Sequence, residues 1–235
     1  MYRVGTQNKL NRDAWIKHKI QQIPAGSRIL DAGAGELQYS HFCQHLHYVS
    51  QDFAQYDGKG DNKGLQTGIW DQTKIDIISD IIAIPEHDSS FDAIMCTEVF
   101  EHLPEPIKAI KEFSRLLKPG GHLILSAPFC SLTHMAPYHY YSGYNRYFYE
   151  KHLVDSGFEI LEIIENGNFF EYIAQELRRL PQVSRDYSKI TFSPLDYLAQ
   201  KWLLFTLERC SRKDRDSKEL LNFGFHIYAR KKDRL

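Results

Sequence analysis

Arg28-Ile-Leu-Asp31-Ala-Gly33-Ala-Gly35-Glu36 is the stretch from which the rest of the chain is read. A short apolar run ends in an acid at Asp31, two glycines follow, and a helix is expected from Glu36 to about His45. Glycine lets a backbone turn tightly and come close to a ligand. A doubly wound sheet holds its ligand at such a turn. A dinucleotide loop runs G-x-G-x-x-G; here the third position is Gln38, and the carboxylate ahead of the loop repels phosphate. A cationic, phosphate-free ligand suits the turn. S-adenosylmethionine, with its sulfonium and ammonium groups, is one.

Working outward, apolar runs of strand length alternate with helical patterns, which predicts βαβ units and a mostly parallel sheet. Strands are expected at 28–31, 48–51, 75–79, 92–97, 122–127, 158–164 and 223–229, the last one antiparallel. Helices are expected at 13–22, 106–117 and 145–156, and two more at about 169–180 and 194–212. The fold class is therefore α/β: a doubly wound, Rossmann-like sheet of seven strands with a helical insertion before the last strand. One domain covers 1–235, divided into an N-terminal helical cap (1–25), a cofactor-binding core (26–167), the insertion (168–221) and the last strand with a basic tail (222–235). Residues 57–70, rich in glycine and polar side chains, read as a mobile loop beside the ligand edge. In 194–212, Leu195, Leu198, Trp202, Leu203 and Phe205 recur at roughly helical spacing. Core packing or a homodimer through this helix accounts for them, with a membrane-surface helix as the other reading.

The formal net charge of −1 argues against a dedicated nucleic-acid binder, which carries a basic face. From residue 181 onward twelve Lys/Arg face seven Asp/Glu, a surplus read as a solvated basic end. Cys43, Cys96, Cys130 and Cys210 show neither C-x-x-C nor metal spacing, and read as free thiols. No apolar run reaches the ~20 residues of a membrane span. A cytoplasmic protein is expected.

The ends of the strands carry the chemistry. The first gives Asp31, Ala32, Gly33, Ala34 and Gly35; the second gives Asp52 and Phe53, 21 residues after Asp31, where a carboxylate can accept from both ribose hydroxyls. The third offers Asp80 and Ile81 for an adenine amino group and ring face, and the fourth Thr97 and Glu98. Asp52 by itself does not separate this ligand from a dinucleotide, whose ribose carboxylate also lies about 20 residues on.

The chain here resembles the class I S-adenosylmethionine-dependent methyltransferases, in the group typical of small-molecule and ubiquinone-pathway enzymes. The resemblance rests on Ile29-Leu-Asp-Ala-Gly-Ala-Gly35, the Asp52 strand end, Asp80-Ile81, Phe91-Asp-Ala-Ile-Met-Cys-Thr-Glu-Val-Phe-Glu-His-Leu-Pro104 and Leu116-Leu-Lys-Pro-Gly-Gly-His-Leu-Ile-Leu125, spanning residues 28–128 in order. Glu36-Leu37 stands where many members carry a third glycine. The resemblance implies that Gly33 and its neighbours hold the methionine part, Asp52 the ribose, Asp80 and Ile81 the adenine, and the Thr97 backbone the methionine end. The product would be S-adenosylhomocysteine.

A narrower resemblance, to members from bacterial polysaccharide and cell-surface glycan gene clusters, rests on His134, Pro137-Tyr138-His139-Tyr140 and Arg146, with His139-Tyr140 where an Asp-Tyr pair is usual. Six tyrosines between 138 and 149 offer flat apolar faces with hydroxyl tips, suited to a sugar or an aromatic ring; aromatic core packing is the alternative. Tyr138, Tyr140 and Arg146 are the candidate substrate contacts, Arg146 as a clamp on an acceptor carboxylate or phosphate or else paired with a nearby acid.

Methyl transfer at a hydroxyl oxygen needs a base, and histidine is the natural one: His134 first, then His139 and His102. Five residues apart in a segment containing proline, His134 and His139 read as poor metal-ligand spacing, so no metal is expected. The expected reaction is methylation of a small-molecule or glycan-like acceptor, at oxygen. Methylation at nitrogen or carbon, a scaffold that keeps the fold without turnover, and an NAD-linked dehydrogenase stay open.

Overall fold

Ile29 and Leu30, adjacent in the chain, face opposite sides of one sheet, as do Ile94 with Met95 and Leu123 with Ile124. Alternation of this kind in strands apolar on both faces requires cover on both sides, and a computed structural model describing residues 2–233 has that cover. The strands are β1 (Arg28–Ala32), β2 (His47–Asp52), β3 (Ile77–Ile78), β4 (Phe91–Thr97), β5 (Leu117–Pro128), β6 (Phe158–Asn166) and β7 (Gly224–Lys231). Their order is β3-β2-β1-β4-β5-β7-β6. β1 to β5 pair in parallel, and β7 lies antiparallel to β5, from Pro128 opposite Gly224 to His122 opposite Arg230. The seven-stranded α/β prediction holds.

The helices are α1 (Asn8–Gln22), α2 (Pro106–Leu116), α3 (Arg146–Asp155), α4 (Phe169–Val183) and α5 (Pro194–Arg212). α2 opens on Pro106 at its first turn, where a missing N–H does no harm. It buries Ala109, Ile110, Phe113 and Leu116 against one face of the sheet. α3 begins at Asn145, whose side chain accepts from the Phe148 N–H, and stops at Gly157 (φ +87°), the left-handed residue expected there. On the other face Ile16 and Ile20 of α1 join Ile23, Tyr39 and Tyr228.

By contact the chain divides into two units. One comprises Ala14–Ile164 with the stretch from Gly224 onward, and holds the paired strands and both faces of the core. The other runs up to Asp13 and again from Glu165 to Phe223. In it α4 and α5 pack around Val4, Ala174 and Leu204, and Gln200 Nε2 donates to the Leu177 carbonyl at 2.7 Å. A capping box between Ser193 and Asp196 starts α5 where the sequence puts it.

Three expectations fail. The segment after the glycine loop forms turns and one short 3-10 piece at Ser40–Phe42, not a helix over 36–45. The reason is local: Gly35 (φ +51°) and Leu37 (φ +60°) are both left-handed, which no α-helix accommodates. Second, the strand expected at 122–127 runs from Leu117 to Pro128: α2 does end at Leu116, but Lys118-Pro119-Gly120-Gly121 after it is strand, with an irregularity in its register against β4 between Phe91 and Ala93. Third, the apolar residues of α5 are not core. Leu195, Leu198 and Trp202 are 72%, 63% and 65% exposed, and Leu204 is the buried residue of the helix. Among the described residues no helix is long and apolar enough to cross a membrane.

Candidate active site

Strand order reverses around β1: the chain steps outward to β2 and β3 on one side and to β4 and β5 on the other. The crevice beyond the carboxyl ends at such a switch point is where open α/β sheets bind ligands. Here it is formed by the ends of β1, β2 and β4.

Gly33 continues from Ala32, the buried last residue of β1, and turns at φ +75°. A Cβ at Gly33 would meet Val99 Cγ2 at 2.5 Å, so glycine is required on both conformational and steric grounds. The N–H groups of Gly33 and Ala34 both donate to the Gln51 carbonyl, at 2.8 and 2.9 Å. That of Gly35 donates to Asp52 Oδ2 at 2.9 Å. All three donors are thus consumed by the end of β2. Phosphate binding at a glycine turn depends on free N–H groups and a following helix N-terminus; this turn offers neither. Leu37, at φ +60°, is left-handed as well.

The acids differ in state. Asp31 is 2% exposed and accepts from Tyr48 Oη at 2.6 Å. Burial pushes its pKa up to about 7, against the Tyr48 hydrogen bond that pulls it down, and Asp52 adds a further upward push. The charged rim expected from sequence is therefore only partly charged at neutral pH. Asp52 is also buried; its Oδ1 accepts from the Ala54 N–H (2.8 Å) and Gln72 Nε2 (3.3 Å). Asp80 is exposed and closes its own turn, accepting from the Ile82 N–H at 3.1 Å. Ile81, 5% exposed, packs into the core. Thr97 ends β4, paired with Ser126, and Glu98 follows at φ +55° with its side chain accepting from Ser126 Oγ at 2.9 Å. A left-handed non-glycine residue at a strand end is strain of the kind that collects at functional sites.

The histidines, scattered in sequence, are gathered in space. Rings of His102 and His134 lie 4.7 Å apart, those of His134 and His139 4.8 Å, and those of His102 and His139 5.9 Å. Glu101 sits among them, 1% exposed, with Oε1 3.7 Å from Nε2 of both His102 and His134. Burial disfavours the charged form of His134, but Glu101 and the Leu132 carbonyl outweigh it, so its pKa lies above the ordinary value. Burial, only partly opposed by Glu101, lowers that of His102. Burial and the two neighbouring histidines lower that of His139. Burial raises the Glu101 pKa, yet the two histidines leave it below the usual range. Chain spacing is a poor guide here, because the cluster joins the end of β4 to a loop more than thirty residues on.

The tyrosine run divides. Tyr144 and Tyr149 are core residues, 7% and 0% exposed, whereas Tyr138 is half-buried and Tyr140 is 50% exposed. Tyr138 meets Phe53 edge-on, ring centres 5.0 Å apart, and its carbonyl is 2.6 Å from His102 Nδ1. Phe53 and Tyr138 thereby join the end of β2 to the histidines. Arg146 is engaged with Glu150 one turn along α3, Nε to Oε1 3.1 Å, the alternative foreseen to an acceptor clamp.

Residues 57–70 lie over the site, tied to 133–136 by backbone hydrogen bonds. Asp61 donates to the Ala136 carbonyl, Leu65 to that of Thr133, and Met135 back to Leu65, all at 3.0 Å. Trp70 closes over the glycine turn, its Cζ3 3.1 Å from where a Gly35 Cβ would stand, and stacks edge-on with Tyr56 at 5.1 Å. Gln51, Trp70, Gln72 and Glu101 are thus site residues without a role in the sequence reading. Only Glu101 had a signal, its place beside His102.

The family described as a methyltransferase domain matches residues 9–180. A ubiquinone biosynthesis O-methyltransferase from Xylella fastidiosa is 37% identical over 110 residues, which cover 45% of this chain and 44% of that enzyme. The chain thus spans less than half of that relative's length. Among solved structures, a SAM-dependent methyltransferase from Archaeoglobus fulgidus superposes with a TM-score of 0.57, at 17% identity over 95% of this chain and 94% of the other. Phosphoethanolamine N-methyltransferase 2 from Haemonchus contortus, solved with S-adenosyl-L-methionine, gives 0.51 at 18% identity over 95% and 53%. These two likenesses speak to the fold.

Proposed function

The chain belongs to the methyltransferase-domain family, S-adenosylmethionine-dependent and of class I, and on that premise we propose that it transfers the methyl group to a hydroxyl oxygen of a small, flat acceptor. One observation carries the cofactor end: the glycine turn has already spent the N–H groups of Gly33, Ala34 and Gly35 on Gln51 and Asp52. A turn so occupied has little to offer a pyrophosphate and is compatible with a sulfonium ligand beside Asp31 and Asp52. In this reading Asp52 and Phe53 serve the ribose, Asp80 the adenine, and Thr97 and Glu98 the methionine end.

Methyl transfer is an in-line displacement at carbon with the neutral thioether of S-adenosylhomocysteine as leaving group. Holding the oxygen close to the methyl carbon and in line with sulfur supplies on the order of 7–11 kcal/mol. The hydroxyl must also lose its proton, a step worth ~10²–10⁴-fold when a side chain takes it. His134 takes it in this reading, with Glu101 stabilising the imidazolium that results. Tyr138 and Tyr140 provide the flat walls for a sugar face or a phenol ring. The likeness to an O-methyltransferase over 110 residues favours oxygen over nitrogen or carbon. Incubation with radiolabelled methyl donor and a panel of hydroxylated sugars and phenols, with wild type and His134→Ala, tests the reading. Label in an ether product that His134→Ala forms much more slowly, at unchanged S-adenosylhomocysteine affinity, is expected. Label appearing solely in amines, or full activity in the variant, would refute it.

A further inference from the structure

His102, His134 and His139 each present a ring nitrogen to one point, and these atoms all lie within 4.8 Å of one another. The way the rings are held is more telling than their proximity. His102 Nδ1 sits 2.6 Å from the Tyr138 carbonyl and His134 Nδ1 2.8 Å from that of Leu132. A carbonyl can only accept, so each Nδ1 carries the proton and each Nε2 turns its lone pair inward. Metal-ligating histidines are oriented in this manner, by a backbone carbonyl or carboxylate on the far nitrogen. Both ring nitrogens of His139 are buried without a hydrogen-bond partner, and so is Glu101 Oε2 in a side chain 1% exposed. Buried polar atoms left unpartnered are costly, a burden that a cation at the centre would lift.

We propose that His102, His134 and His139, with Glu101, form a binding site for a divalent first-row transition-metal ion. Imidazole donors suit zinc, iron, nickel or copper, whereas magnesium demands oxygen ligands in an octahedron. Three histidines leave a coordination position for Glu101 or an outside oxygen, the pattern of catalytic rather than structural zinc. With metal–nitrogen bonds of ~2.0–2.1 Å the nitrogens of a tetrahedral site stand ~3.4 Å apart, so the rings draw together by small rotations. The site stands on this geometry alone. One consequence rests on the methyl-transfer reading: an acceptor hydroxyl on the ion would release its proton to solvent near neutral pH, so the ion would replace His134 as activator.

The test is metal binding, independent of turnover. Untagged full-length protein, stripped with chelator and dialysed, is titrated with zinc by calorimetry and with cobalt by visible absorption. One ion per chain is expected, with the intense bands of a four-coordinate, nitrogen-ligated cobalt site. His139→Ala should weaken binding at least ~100-fold, beyond the ~10–100-fold typical of losing a supporting partner, while His18→Ala on exposed α1 surface leaves it unchanged. Substoichiometric binding, or equal affinity in wild type and His139→Ala, overturns the site. Either result leaves the methyl-transfer reading to its own assay.

Discussion

Replacing Asp31 by asparagine should flatten the pH dependence of stability. In the fold the carboxyl is buried and titrates near 7, against 3.8 in an unhindered chain. A raised folded pKa means that the protonated group favours the folded state: its contribution is fully present below pH ~4 and is lost as pH rises to about 7. The three-unit difference is worth ~4 kcal/mol once the group is fully ionised, at 1.36 kcal/mol per unit. Between pH 5 and pH 8 the loss is ~2–3 kcal/mol by the same linkage. Asparagine keeps an oxygen for the Tyr48 hydroxyl, now 2.6 Å from Oδ2, and cannot ionise. Urea unfolding of both proteins at pH 5 and pH 8 isolates the term, since other titrating groups cancel in the double difference. Asp31→Asn should gain ~2–3 kcal/mol relative to wild type between the two pH values. An equal offset at both, or a gap that widens toward acid, would show that Asp31 is not held protonated by burial.

Gly33→Ala should destabilise the fold by ~1–3 kcal/mol through overpacking, because its Cβ would stand 2.5 Å from Val99 Cγ2 at φ +75°; an unchanged urea midpoint would mean the turn relaxes freely. Asp52→Ala leaves the Gly35 and Ala54 N–H groups without their acceptor, at ~1–3 kcal/mol each, and should weaken S-adenosylhomocysteine binding in calorimetry. Equal affinity would separate that acid from the ribose. Trp70→Ala uncovers the glycine turn and should speed S-adenosylhomocysteine release in stopped-flow fluorescence; an unaltered rate would place the exit elsewhere.

The sheet was legible because its signals are local and redundant. β1, β4 and β5 are apolar on both faces, α2 shows a buried stripe, and α3 carries its own cap and stop at Asn145 and Gly157. The expected helix after Gly35 failed through two backbone angles that composition does not reveal, above all the left-handed Leu37. The exposed face of α5 misled for another reason: helical spacing reports that a stripe exists, not what covers it. Asp31 and Asp52 were found as acids at strand ends, but their burial, and hence the partial neutrality of Asp31, depends on Tyr48 and Gly35 arriving from other segments. Each histidine was visible singly, whereas their meeting around Glu101 depends on loop geometry that spacing in the chain does not encode.

Residues 57–70 touch both halves of the crevice, with Trp70 on the glycine turn and Leu65 bridged to His134. Under the proposed function, an opening of this cover that frees spent donor at one end would also loosen the acceptor at the other. Exchange would set the pace instead of bond-making, as in many enzymes with closing loops. Rapid-quench mixing would reveal this as a first-turnover burst of methylated product, and a strictly linear time course would deny the cover that part.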